Sequence, residues 1–126
     1  MDIKFYICRH CGNIIEKVAD AGVPVMCCGQ KMEELVPGAV DGALEKHVPV
    51  VTVDGNLVKV EVGSVAHPML PEHSIQWVYL VTDKRVMRYN LQPGVAPVAD
   101  FALLPDEKPV AAYEYCNLHG LWKKDI

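Results

Sequence analysis

The chain has 126 residues, is 51% hydrophobic and 22% charged, and carries a net charge of −4. This is the composition of a globular protein with room for one ordinary domain, or one domain plus a small accessory module. Divided at residue 36, the first part has 4 basic and 5 acidic residues and the second 8 and 11, so neither carries the basic footprint of a nucleic-acid binder.

The start Met1-Asp2-Ile3-Lys4 is polar and lacks a signal-peptide core. No apolar run reaches the roughly 18 residues a membrane span needs. The expected compartment is the cytoplasm, where thiols stay reduced and C-x-x-C reads as a metal or redox motif, not a disulfide. Residues 1–36 form a short module: Phe5-Tyr6-Ile7, Cys8 to Cys11, Gly12, a short apolar stretch, Gly22, then Pro24 to Gly29. So small a unit buries little apolar surface, and a metal would supply the missing stability. Pro37-Gly38 is the expected boundary, with the second domain over residues 37–126.

From Leu44 onward the pattern is β. Val48 to Val53 is mostly β-branched, Asp54-Gly55 is a hairpin-type turn, and Leu57 to Val62 returns with partial alternation. Ile75 to Thr82 is a long strand candidate. Val86 to Leu91 follows the charged turn Asp83-Lys84-Arg85. After the Gln92-Pro93-Gly94 turn come Val98 to Leu104 and Val110 to Cys116. No segment has helical periodicity. Six or seven short strands at this spacing predict an antiparallel β-sandwich.

All five cysteines and four of the five histidines fall into two constellations. Cys8 and Cys11, on a turn closed by Gly12, can aim two thiolates at one point, and the adjacent Cys27-Cys28 supplies two more. Neighbouring side chains diverge on an extended strand, so both can ligate one ion only if the backbone bends, which Gly29 permits. A four-thiolate set suits zinc or iron. His10 lies inside the knuckle, and its side chain should point away as a bystander.

The second set is His47, His67, His73, Cys116 and His119. His47 precedes Pro49 at a strand start. His67 and His73 bracket a loop stiffened by Pro68 and Pro71. Cys116 ends a strand, and His119 sits in the turn after it. A lone histidine is more often a satisfied polar residue than a ligand; four at strand ends, with a thiol, point to a metal. Imidazole suits iron, copper and zinc, and the single thiolate makes the site softer. Five protein ligands leave one octahedral position where a small molecule can react. A blue-copper site also uses C-x-x-H near the end of a sandwich. It needs a late axial Met and only two histidines, whereas here the last methionine is Met87.

With these residues in view, the sequence resembles desulfoferrodoxins, the two-domain form of superoxide reductase. Cys8-x-x-Cys11-Gly12-Asn13, Cys27-Cys28-Gly29 and Met32 resemble the desulforedoxin module, which holds iron by four cysteines. Glu45-Lys46-His47-Val48-Pro49, His67-Pro68-Met69, Glu72-His73, Gln76-Trp77 and Cys116-Asn117-x-His119-Gly120-x-Trp122 resemble the catalytic domain. The resemblance implies an immunoglobulin-like sandwich carrying Fe(II)/Fe(III), with His47, His67, His73 and His119 equatorial and Cys116 axial.

It also implies one-electron reduction of superoxide to hydrogen peroxide, an external, rubredoxin-like electron donor, and a homodimer paired through the N-terminal modules. Lys46 would steer the anion, and Glu45 would close on ferric iron after product leaves. Trp77 and Trp122 read as core or wall residues, not electron relays. Two other function classes fit the same residues: a non-enzymatic iron electron carrier and a structural zinc protein.

Overall fold

The computed structural model describes residues 3–126, and the chain divides into two compact units, Met1–Val36 and Pro37–Ile126. In the first unit, β1 (Phe5–Ile7) is the middle strand of an antiparallel sheet, between β2 (Ile14–Glu16) and β5 (Glu33–Leu35). A separate two-residue hairpin pairs β3 (Met26–Cys27) with β4 (Gln30–Lys31). Among the described residues few side chains of this unit are buried: Phe5, Ile7, Met32 and Leu35, with the Cys8 thiol. Strands this short, with so small a core, lack the burial a free-standing unit requires.

The second unit is a β-sandwich. One sheet has the order β10-β7-β6: β10 is Val98–Ala102, β7 is Leu57–Val62 and β6 is Pro49–Asp54. The other has the order β12-β11-β8-β9, with β12 Gly120–Asp125, β11 Pro109–Cys116, β8 Ile75–Thr82 and β9 Val86–Asn90. All pairings are antiparallel.

Strict alternation on β7, where Val58, Val60 and Val62 are buried and the residues between them exposed, fixes which face meets the core. Those valines pack with Ile75, Val78, Leu80, Ala99, Phe101 and Ala112. Among the described residues no helix is long and apolar enough to cross a membrane.

Three local features depart from the sequence expectation. The β6–β7 loop is Gly55-Asn56, one residue later than the expected Asp54-Gly55 turn: Asp54 pairs with Leu57, and Gly55 takes φ 60°, as a II′ turn requires. Leu44–His47 forms a single helical turn, α1, too short to leave a periodic pattern. Residues 120–125 form a full strand, β12, along the edge of β11, where only a turn and a motif were expected.

Candidate metal centres

Antiparallel pairing brings five chain ends to one end of the sandwich. Those are the end of α1, the start of β6, the start of β8, the end of β11 and the start of β12. Each candidate ligand sits at one of them or in a loop between them. His47 is the last residue of α1, His67 and His73 lie in the β7–β8 loop, Cys116 ends β11, and His119 is in the β11–β12 turn. The β8–β11 register slips beside the site: Tyr115 faces Trp77 but Cys116 faces Ile75, leaving Gln76 as the extra residue. Such a bulge re-aims the side chain next to it.

The ligand atoms of His47, His67, His73, Cys116 and His119 all lie within 4.8 Å of one another. The four imidazoles close a ring in the order His47, His67, His73, His119. Neighbouring centroids are 4.7, 4.7, 5.1 and 4.7 Å apart, and interplanar angles run from 63° to 80°. Cys116 Sγ lies 3.4 Å from His67 Nε2 and 3.7 Å from His119 Nδ1. His47, His67 and Cys116 are buried, whereas His73 and His119 are only half-buried, so solvent reaches the cluster from their side.

The tautomers follow from the backbone. His47 Nδ1 and His67 Nδ1 lie 2.7 Å from the carbonyls of Ala43 and Pro68. A carbonyl only accepts, so each Nδ1 carries the proton and each Nε2 presents a lone pair. Those two Nε2 atoms face each other at 3.1 Å. Two lone pairs at that distance repel unless a cation takes both. His73 Nε2 is likewise buried with no hydrogen-bond partner, a costly arrangement for an ordinary polar atom. Burial lowers the pKa of His47 and His73, and takes His67 down to about 4, so these rings stay neutral and free to ligate. Burial pushes the Cys116 thiol up, opposed by the amides of Leu118 and His119. The donor set therefore fits a cation that binds imidazole and one thiolate.

Three neighbours shape the pocket. Trp122 stacks on His47, 5.1 Å between centroids and 23° from parallel, and its indole N–H donates to the His119 carbonyl at 3.0 Å. It is a wall of the site. Gly42 runs over the same group: a Cβ there would meet Trp122, His119 and His47 at 3.2 to 3.3 Å. Glu114, two positions before Cys116, is fully buried with neither oxygen hydrogen-bonded, and burial raises its pKa to about 9, so it is neutral at pH 7. Sequence reasoning singled out neither Gly42 nor Glu114. No local signal marks them, since the contacts of Gly42 and the burial of Glu114 arise only in the fold.

Glu45 is exposed and Lys46 half-buried on α1. The Lys46 charge is felt at both His47 and His73, where it disfavours protonation. The turn that follows β7 braces this pair. Val65 N–H and Ser64 Oγ both donate to the Glu45 carbonyl, and a Cβ on Gly63 would lie 2.6 Å from that same oxygen.

In the first unit, the sulfurs of Cys8, Cys11, Cys27 and Cys28 lie within 4.8 Å of one another. Gly12 N–H donates to the Cys8 carbonyl and closes the knuckle. The bend that lets neighbours Cys27 and Cys28 converge falls on Cys28 itself (φ 55°) as well as on Gly29 (φ 71°). A non-glycine residue in the left-handed region is uncommon and marks a site that imposes its geometry. Amides of Cys11 and His10 draw the Cys8 thiol down to about 6, while its neighbours, Cys11 foremost, push Cys28 up to about 12. Four crowded thiols do not ionise together without a cation among them, and tetrathiolate chemistry suits iron or zinc. His10 is exposed and outside the cluster.

Comparison with known proteins agrees with these two centres. The Desulfoferrodoxin family model matches residues 39–125. A desulfoferrodoxin of Nitratidesulfovibrio vulgaris is 48% identical over 122 residues, covering 97% of this chain and 95% of the relative. The crystal structure of the superoxide reductase from Treponema pallidum aligns with TM-score 0.84 and 42% identity, over 98% of both chains. The superoxide reductase (1Fe-SOR) from Giardia intestinalis aligns with TM-score 0.56 and 34% identity, over 65% of this chain and 97% of its own.

Proposed function

The chain belongs to the desulfoferrodoxin family, and from that membership we propose that it is a superoxide reductase. The reaction is O2•− + e− + 2H+ → H2O2. The observation that carries this reading is the closed ring of four imidazoles with Cys116 against it, shut in by Trp122 on the His47 side and open beside His73 and His119. His47, His67, His73, His119 and Cys116 would hold the iron of this centre, and Cys8, Cys11, Cys27 and Cys28 that of the other. When bound in the imidazole ring, ferrous iron supplies the single electron that takes superoxide to the peroxide level.

The chain's own residues supply the rest. Lys46 places a positive charge within electrostatic reach of His47 and His73, and so draws a small anion toward the open side of a net negative protein. Cys116, as thiolate, would be the strongest electron donor of the five to that iron. Solvent on the His73 and His119 side delivers the two protons. Glu45, exposed beside Lys46, covers the opening once product has left.

Residues 1–36 act as the desulforedoxin-like domain and residues 37–126 as the catalytic domain. An external one-electron donor of the rubredoxin type restores the reduced state in the cytoplasm. The exposed apolar side chains Val18, Val23 and Met26 of the first unit support a homodimer paired through that unit; sedimentation showing a monomer at micromolar concentration would exclude it. Stopped-flow mixing of the reduced protein with superoxide tests the activity directly. Peroxide formed in a 1:1 ratio with superoxide, without O2, is the expected result; dismutation or no reaction would overturn it.

A further inference from the structure

Asn117 stands between the ligands Cys116 and His119, yet its side chain grips the backbone on both sides of a third ligand. Its Oδ1 accepts the Ser74 N–H at 3.0 Å, across 43 positions of sequence, and its Nδ2 donates to the Glu72 carbonyl at 2.9 Å. Its own backbone N–H donates to the Ser74 carbonyl at 3.3 Å. Glu72 and Ser74 flank His73. The amide is therefore a two-pronged clamp on the peptides either side of that histidine.

His73 has special need of one. The rings of His47 and His67 are each held by an Nδ1–H bond to a carbonyl, the usual device for orienting a ligating imidazole. Among the described residues no such bond anchors the His73 ring, whose Nε2 is buried and unpartnered. It is also the less buried side of the ring of imidazoles, where packing restrains it least. Apart from its packing against the rings of His67 and His119, its position is set through its backbone, by the Leu70–His73 bridge and by Asn117.

We propose that Asn117 is the positioning residue for His73, replacing at the backbone the anchor that the rings of His47 and His67 receive directly. The inference rests on reading the cluster as the iron centre.

The test measures Fe(II) affinity at this centre in the full chain by anaerobic competition with a ferrous chelator, alongside the visible spectrum after oxidation. Asn117→Ala should weaken Fe(II) binding about ten-fold or more and shift the thiolate-to-iron band. In a His73→Ala background the same substitution should add less than about two-fold, because the residue it positions is gone. Asn117→Asp keeps the acceptor for Ser74 and the side-chain volume but loses the donor to Glu72. It should give a smaller loss of the same kind, and it decides the matter if Asn117→Ala does not fold.

Equal losses in the two backgrounds would overturn the proposal, as would unchanged affinity and spectrum in both Asn117 variants. A wild-type chain that takes no iron at this site would instead sink the reading of the centre itself.

Discussion

Arg85 holds Glu107 by two charge-assisted hydrogen bonds, Nε to Oε2 at 2.8 Å and Nη2 to Oε1 at 2.6 Å. The Thr82 hydroxyl donates to Oε2 at 2.6 Å and the Leu104 N–H to Oε1 at 2.8 Å, so a buried carboxylate has every lone-pair direction occupied. The guanidinium, helped by those two donors, takes the carboxyl down to about 2 from its ordinary 4.5 in spite of burial. The folded state therefore binds this proton less readily than the unfolded chain. Its contribution is complete above about pH 4.5 and is lost as pH falls toward 2. Glu107→Gln should melt lower than wild type at pH 7, and its melting temperature should fall less steeply between pH 5 and pH 2. Parallel pH profiles would show that the pair contributes no pH-dependent stability.

Cys116 is the only thiol outside the first unit. Cys116→Ser should abolish the thiolate-to-iron band of the imidazole centre while the four-thiolate spectrum survives. Because burial holds this thiol above its ordinary pKa and the imidazoles of His47, His67 and His73 below theirs, loading a divalent ion near pH 7 should release about one proton, from Cys116. Binding heats compared in two buffers, with the first unit already filled with zinc, measure that proton; the serine variant should release none.

Lys46 and Glu45 should act at different moments. Removing a positive charge a few ångströms from an incoming anion, in partly screened surroundings, is worth about 1 to 2 kcal/mol, or roughly ten-fold in rate. Lys46→Ala should slow the second-order reaction with superoxide by about that factor and flatten its dependence on salt. Glu45→Ala should leave that step nearly unchanged and alter the resting oxidised spectrum instead. Equal slowing in both variants, measured at two ionic strengths, would refute this division.

The two units should separate. A truncated chain beginning at Pro37 keeps all five ligands of the imidazole centre and its whole core, and should fold and bind one equivalent of iron. Residues 1–36 alone, with few apolar side chains buried among the described residues besides Phe5, Ile7, Met32 and Leu35, should lose their structure when chelated. A metal-free first unit that keeps its circular dichroism would contradict the second expectation.

Both ligand sets were legible because they use nearly every cysteine and histidine in the chain. Strands β6 to β11 were legible because β-branched and aromatic residues cluster there between turn residues. β12 was not: Gly120-Leu121-Trp122-Lys123-Lys124-Asp125 ends in charges, and as an edge strand it buries only Leu121 and Trp122. Helix α1 is one turn long, below any period a pattern can show. The clamp of Asn117 on Glu72 and Ser74 joins distant segments, as does the passage of Gly42 over Trp122, so neither leaves a trace at neighbouring positions. Bending Cys28 into the left-handed region reflects the needs of the sulfur cluster, which local preference opposes.

The spacing of the ligands along the chain also gives the molecule a chronology. From Cys8 to Cys28 a few short loops suffice, and closing them costs little chain entropy. The other set reaches from His47 to His119, and its ring closes only after β11 and β12 have joined the sheet. In a protein that folds from its N-terminus as it is made, the tetrathiolate can capture an ion while the imidazole ring does not yet exist. Labelled iron supplied in pulses during refolding would reveal that order. A cell short of iron would then commit its first ion to the four-thiolate unit.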